Sequence, residues 1–147
     1  MGSVDLERVP DVSSQETWQA LQQDAATVLI DVRTRSEWAF VGLPDLSALD
    51  KQVVTIEWQT FPDNRLDPDF ADRLSQHLET SGVGRNDKLF FICRSGGRSR
   101  MAAEAMKQAG FANCVNVADG FEGPLDPDRH RGTIAGWKKT GLPWVQG

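Results

Sequence analysis

One stretch constrains the fold more than any other: KLFFICRSGGRSRMAAEAMKQAG, residues 88–110. It opens on Leu89-Phe90-Phe91-Ile92, an apolar run with the length and residue types of a buried strand. It closes on Met101, Ala102, Ala105, Met106 and Ala109, an apolar stripe at helical spacing, with Gly110 where a C′ glycine stops the helix. Only the loop Cys93-Arg94-Ser95-Gly96-Gly97-Arg98-Ser99 separates the two. A buried strand feeding straight into a helix is the repeating unit of α/β folds with parallel strands.

The same loop is the main chemical candidate. Loop amides and a helix N-terminus present N–H groups and favour negative charge. Gly96 and Gly97 lack a Cβ and can take positive φ, which lets the backbone curl round an anion. Arg94 and Arg98 add fixed positive charge. These surroundings favour the thiolate of Cys93, the nucleophilic form of the side chain. A cysteine at a strand end is ordinarily a small buried hydrophobe. A core cysteine, however, does not require two glycines and two arginines directly after it.

The remaining elements alternate in type. Residues 1–12 read as an extended lead-in. Ser13 and Glu16 are spaced as a capping box, opening a helix to about Asp24 that buries Trp18 and Leu21. Residues 27–32, TVLIDV, are apolar without alternation, as in a strand covered on both faces. Asp31 and Arg33 stand at its C-terminal end, the edge where open α/β sheets collect ligands. Thr34 and Glu37 form a second capping box before a short helix through Trp38. Asp31, Arg33 and Glu37 are read first as an ion-pair and capping network bracing the loops. Residues 41–51 read as a loop and the β-branched run 53–58 as a strand. Asp67-Pro68 supplies an N-cap and first-turn proline for a helix to about Ser81, with Phe70, Leu74 and Leu78 inward. Residues 114–118 are a further strand, and Trp137 packs a last helix ended by Gly141-Leu142-Pro143. The alternation predicts an α/β three-layer sandwich, with a five-stranded parallel sheet flanked by helices.

Composition limits the function classes. The chain has 147 residues, enough for one domain with one substantial core, and carries a net charge of −5. That balance argues against a nucleic-acid binder. No apolar run approaches the ~18 residues of a membrane span, and the N-terminus lacks the apolar centre of a signal peptide. The two cysteines, Cys93 and Cys114, make neither a disulfide framework nor a metal site; Cys114 reads as structural, at the sheet edge opposite Cys93. A free catalytic cysteine fits a reducing compartment, so a cytoplasmic location is expected. His77 and His130 lie far from Cys93 in sequence, and neither is assigned a catalytic role.

FICRSGGRSRMAAEAM resembles the active-site loop of the rhodanese family, sulfurtransferases that carry sulfane sulfur as a cysteine persulfide. VLIDVRTRSEW, residues 28–38, resembles the family's other signature, and GWKKTGLPW, residues 136–144, is similar to its usual ending. The three occur in the family's order across most of the chain. The resemblance implies a single rhodanese-like domain over residues 1–147 and an enzyme without cofactor or metal. It implies Cys93 as the catalytic residue and Arg94, Ser95, Gly96, Gly97, Arg98 and Ser99 as the loop that binds substrate and persulfide. Asp31, Arg33 and Glu37 are carried over as supporting residues. The implied partners are a small anionic sulfur donor such as thiosulfate and a thiol or protein acceptor, with neither nucleic acid nor membrane.

Two features depart from the family pattern. Gly42-Leu43-Pro44 stands where the family often has Gly-His-Ile. Residues 123–133 form an insertion near the expected active-site edge, with Asp126, Asp128, Arg129, His130 and Arg131 in it, suited to a lid, a docking surface or a solvated excursion. Two other functions stay open. A sulfur carrier or sensor serving a dedicated protein partner would keep the same cysteine. A cysteine phosphatase shares the loop logic but places an arginine six residues after the cysteine; here that position is Ser99, with Arg98 one early and Arg100 one late.

Overall fold

The computed structural model describes residues 8–60 and 62–146. The first seven positions of the lead-in read over 1–12 lie outside them. The described chain runs β1 (Asp11–Val12), α1 (Ser14–Gln23), β2 (Val28–Asp31), α2 (Arg35–Phe40), β3 (Leu43–Pro44), β4 (Val54–Thr55), α3 (Phe70–Thr80), β5 (Lys88–Ile92), α4 (Gly97–Gln108), β6 (Asn113–Val117), α5 (Trp137–Thr140) and β7 (Trp144–Val145). Five strands form one parallel sheet in the order β1-β6-β5-β2-β4. The expected three-layer α/β sandwich is therefore present, and its fifth strand is the end of the lead-in, Asp11–Val12.

The β5 sequence explains the two layers. Leu89 and Phe91 join Ile30, Phe70, Leu74, Leu78, Ala102, Ala103 and Met106 on one side of the sheet. Phe90 and Ile92 join Leu21, Leu29, Leu46, Val117, Phe121 and Trp137 on the other. A strand apolar at every position serves both cores at once. Trp18 is only half-buried and meets Trp137 edge to face, with ring centroids 5.9 Å apart.

Both capping boxes are present. Ser13 and Glu16 close the start of α1, and Thr34 and Glu37 that of α2. Other boundaries moved. α3 begins at Phe70 rather than after Pro68: the Asp67 carboxylate accepts from the Asp69 N–H, as a cap would, and from Arg73, but the Asp67 carbonyl closes a three-residue turn with the Phe70 N–H ahead of the helix. The strand expected over 53–58 is regular only at Val54–Thr55. Within the stretch read as a loop, β3 pairs antiparallel with β7, a small second sheet that short-range patterning does not reveal.

α4 shows the largest change of phase. Of the apolar stripe read there, Ala102 and Met106 are buried, but Met101 is 45% exposed, Ala109 is exposed and Ala105 is only half-buried. The inward residues are Ser99, Ala102, Ala103 and Met106, one helical stripe whose first member is a serine. The hydroxyl of Ser99 is held inward by Asn116 and Cys93, in phase with the core packing of Ala102, Ala103 and Met106.

Candidate active site

The site lies where β5 ends. β1, β2, β5 and β6 are parallel neighbours, so the segments after them gather at one edge of the sheet. The chain after β6 clasps the loop after β5: Phe121 N–H donates to the Cys93 carbonyl at 2.8 Å, and the Glu122 and Gly123 N–H groups donate to the Arg94 carbonyl at 3.0 and 3.1 Å. Gly120 permits this approach, because a Cβ there would overlap the Arg94 carbonyl. Asp119 braces the same corner, accepting from the Ser14 N–H and hydroxyl and from the Gly136 N–H.

Inside the loop the Cys93 sulfur meets two donor groups. The Gly96 N–H donates to Sγ at 3.2 Å, and the Ser99 Oγ stands 3.2 Å away. Gly96 reaches this geometry with φ of 102°, and a Cβ on it would strike the Ala118 carbonyl oxygen. Gly97 differs from the expectation of positive φ: it is the first residue of α4, with open space where a Cβ would stand. Only one of the two glycines is needed to curl the loop.

The two arginines also part company. Arg94 is exposed, and among the described residues its guanidinium makes no ion pair. Arg98 grips Glu37 in a two-pronged pair, Nη1 to Oε1 at 2.8 Å and Nη2 to Oε2 at 2.9 Å. The Glu37 hydrogen bonds, aided by the nearby Glu37, Cys93 and Asp31 charges, hold Arg98 protonated above its usual range against the cost of burial. Burial pushes the Glu37 carboxyl up, but the Arg98 hydrogen bonds and charge outweigh it and hold the group below its ordinary value. Arg98 is thus half-committed within the protein, where the sequence reading has it as a free attractor of anions.

Asp31 and Arg33 do not reach the sulfur loop by any direct hydrogen bond. They form a fully buried ion pair, Nη2 to Oδ2 at 2.7 Å, and Arg33 also donates to the Gly42 carbonyl at 2.7 Å and lies 4.2 Å from the Phe121 ring centre. The pair ties the end of β2 to the turn before β3 and to the segment that clasps Cys93. Glu37 is the member of this signature that meets the loop, through Arg98.

Sequence reasoning missed Asn116 and Asp11. Asn116 is fully buried on β6; its Oδ1 lies 2.5 Å from Ser99 Oγ, and its Nδ2 donates to Asp11 Oδ1 at 2.9 Å and to the Gly96 carbonyl at 3.2 Å. The available signal was an asparagine inside the otherwise apolar run Val115-Asn116-Val117, since buried polar groups need partners. The position where a phosphatase would hold its arginine is the buried Ser99.

Beside the loop lies a cleft of about 770 Å³ whose walls include Arg94, Arg98, Glu37, Phe40, Gln59 and Asn64. Cys93 itself is 1% exposed and does not line it. The insertion is knitted round Asp126, whose carboxylate accepts from the Asp128 and His130 N–H groups and the Thr133 hydroxyl; Arg131 donates to the Gly123 carbonyl. Among the described residues no cluster of three or more potential metal ligands occurs, and no helix is long and apolar enough to cross a membrane.

The chain is similar to known proteins over nearly all its length. The family model for the STR4 middle domain matches residues 10–147. Protein RC0915 of Rickettsia conorii, described as uncharacterized, is 37% identical over 140 residues, 92% of this chain and 97% of that one. The crystal structure of Rv0390 from M. tuberculosis superposes with a TM-score of 0.85 at 42% identity, covering 95% of this chain and 99% of the other. The chloroplastic rhodanese-like domain-containing protein 4 of Arabidopsis thaliana is 26% identical over 91% of this chain, which corresponds to 25% of that protein.

Proposed function

Because the chain belongs to the rhodanese-like STR4 middle-domain family, we propose that it transfers sulfane sulfur through a persulfide on Cys93. The family and fold support a sulfur-transfer role; the donor and the covalent intermediate are part of the proposal. The observation that carries it is the pairing of the Cys93 sulfur with the Gly96 N–H and the Ser99 hydroxyl, in a loop clasped by residues 121–123.

In the first step the Cys93 thiolate attacks the outer sulfur of thiosulfate. The new Sγ–S bond forms as the sulfur–sulfur bond of thiosulfate breaks, and sulfite leaves with the bonding electron pair. No proton is transferred from one group to another and no oxidant is consumed. An acceptor thiolate then attacks the outer sulfur of the persulfide, and the Cys93 thiolate departs as leaving group. Arg94 in the cleft wall attracts the anionic donor, and the loop amides and the start of α4 hold the negative terminal sulfur.

The test is intact-mass measurement after incubation with thiosulfate. A gain of one sulfur atom, reversed by a thiol reductant, is expected; no gain in the folded protein overturns the reading. A second reading, a carrier that passes sulfur to a dedicated protein, draws on Phe40. This residue is 77% exposed on the wall of a cleft far larger than thiosulfate. It predicts loading without turnover on small thiols, read as sulfite release that stops after one equivalent.

A further inference from the structure

The proton of Ser99 has two claimants. Its Oγ lies 3.2 Å from Cys93 Sγ and 2.5 Å from Asn116 Oδ1, and both Ser99 and Asn116 are fully buried. The asparagine cannot turn to relieve the competition. Its Nδ2 donates to Asp11 Oδ1 and to the Gly96 carbonyl, both pure acceptors, so Oδ1 must face Ser99 and can only accept. Asp11 is itself anchored by Arg100 at 2.5 Å. A hydroxyl has one proton, so it satisfies the amide oxygen or the sulfur, never both.

Which one it satisfies depends on the state of the sulfur. A thiol donates its own proton to Ser99 Oγ and leaves the hydroxyl proton to Asn116. A thiolate has nothing to donate, so it draws the Ser99 proton to itself and leaves the buried Asn116 oxygen without a donor. After persulfide formation Sγ is a bridging, uncharged sulfur and a weak acceptor, and the proton returns to Asn116.

We infer that Asn116 is a positioning residue for sulfur transfer: it competes with Cys93 for the Ser99 proton, yielding it to the thiolate and reclaiming it once the sulfur–sulfur bond has formed. The competition limits how far the thiolate is stabilised. That preserves nucleophilicity, which falls as a thiolate is made more comfortable. The inference deepens the persulfide reading and rests on it for the return of the proton. The charged groups in the loop and on the elements packed around the triad are Arg94 in the loop, Arg98 and Arg100 on α4, Asp11 on β1, Asp31 and Arg33 at the end of β2, Glu37 on α2 and Asp119 after β6, and the variants below leave all of them in place.

The test is the pH profile of Cys93 alkylation by iodoacetamide, in which loop accessibility scales the height of the curve and the hydrogen bonds set the position of its rising limb. Ser99→Ala removes a donor and should move the limb to higher pH. Asn116→Leu removes the competing acceptor and should move it to lower pH, by about one unit, or about tenfold in rate on the limb. The double variant should coincide with Ser99→Ala, because no proton remains to compete for. If Asn116→Leu leaves the limb in place, moves it the same way as Ser99→Ala, or adds to it, the inference fails. Should leucine at 116 prevent folding, the Asn116 side-chain amide resonances of the unaltered protein serve instead. They should shift along the same limb, and resonances that ignore it overturn the proposal. Alkylation needs no sulfur donor, so a protein that never loads sulfur from thiosulfate can still show the switch, and the two failures stay distinct.

Discussion

Cys93 and Cys114 lie in the same core layer at nearly equal burial, 1% and 2% exposed, so burial does not separate them. The polarity of their hydrogen bonds does. Cys93 Sγ faces the Gly96 N–H and the Ser99 hydroxyl, groups that can give a proton to a thiolate. Cys114 Sγ faces the Phe111 carbonyl at 3.4 Å, which needs a thiol proton to make the bond. Burial pushes the Cys114 thiol up to about 12, with Lys107 drawing it back only in part. The contrast teaches that donors at the end of a strand suit a cysteine to the thiolate form, and an acceptor at the beginning of the next suits one to remain a thiol.

The harshest test exchanges the sulfur itself. Cys93→Ser should abolish persulfide loading, a loss of about a thousandfold or more in sulfite release, while Cys114→Ala keeps loading near the parent level. Comparable losses in both would erase the contrast.

Next comes the backbone that brings the Gly96 donor to the sulfur. Gly96→Ala places a Cβ against the Ala118 carbonyl at φ of 102° and should cost about 2–3 kcal/mol in urea unfolding. Gly97→Ala meets no atom within 4 Å in ordinary helical backbone and should be neutral or stabilise by about 0.5 kcal/mol. Equal costs at the two positions would mean that the loop does not depend on the strained turn.

Alkaline stability probes the other cysteine. A thiol whose folded value is raised contributes stability that is complete below its ordinary value of 9.0 and is lost as pH climbs toward about 12. By about pH 10.5, halfway up that window, the parent should therefore have weakened by about 2 kcal/mol more than Cys114→Ala does. Parallel alkaline curves for the two proteins would show that Cys114 is not held as a thiol.

The smallest effect concerns the charge beside Cys93. The Glu37 carboxyl is held low by Arg98, so its contribution is present above the ordinary carboxylate value of 4.5 and is lost as pH falls through the lowered one. Glu37→Gln should cost about 1–2 kcal/mol at neutral pH, and the gap to the parent should close in acid. A gap of constant size down to low pH would assign the effect to packing rather than to the ion pair.

Much of this was legible before any fold was known. Leu89–Ile92 carries an apolar residue at every position, which only a strand covered on both faces accommodates. The two capping boxes are local chemistry, closed within four residues, and the structure keeps both. What failed were readings that depend on a partner elsewhere in the chain. Val12 and Leu43 become strands only through Val117 and Val145, more than a hundred positions away for each pair. Met101 was read as core because methionine is apolar, but α4 turns Ala102, Ala103 and Met106 inward together with Ser99 and leaves Met101 half exposed.

By itself, then, the sequence determined the alternation of strands and helices, the place of Cys93 between β5 and α4, and the family of the chain. These depend on residue type and spacing over a few turns, where backbone geometry leaves few choices. Tertiary structure decided which glycine turns the loop, which arginine has no ion pair among the described residues, and that Asn116 and Asp11 belong to the candidate site. Those outcomes depend on which buried donors and acceptors meet across parallel strands. A buried polar group must find a partner, and its identity is set by strand order and register rather than by neighbours in the chain.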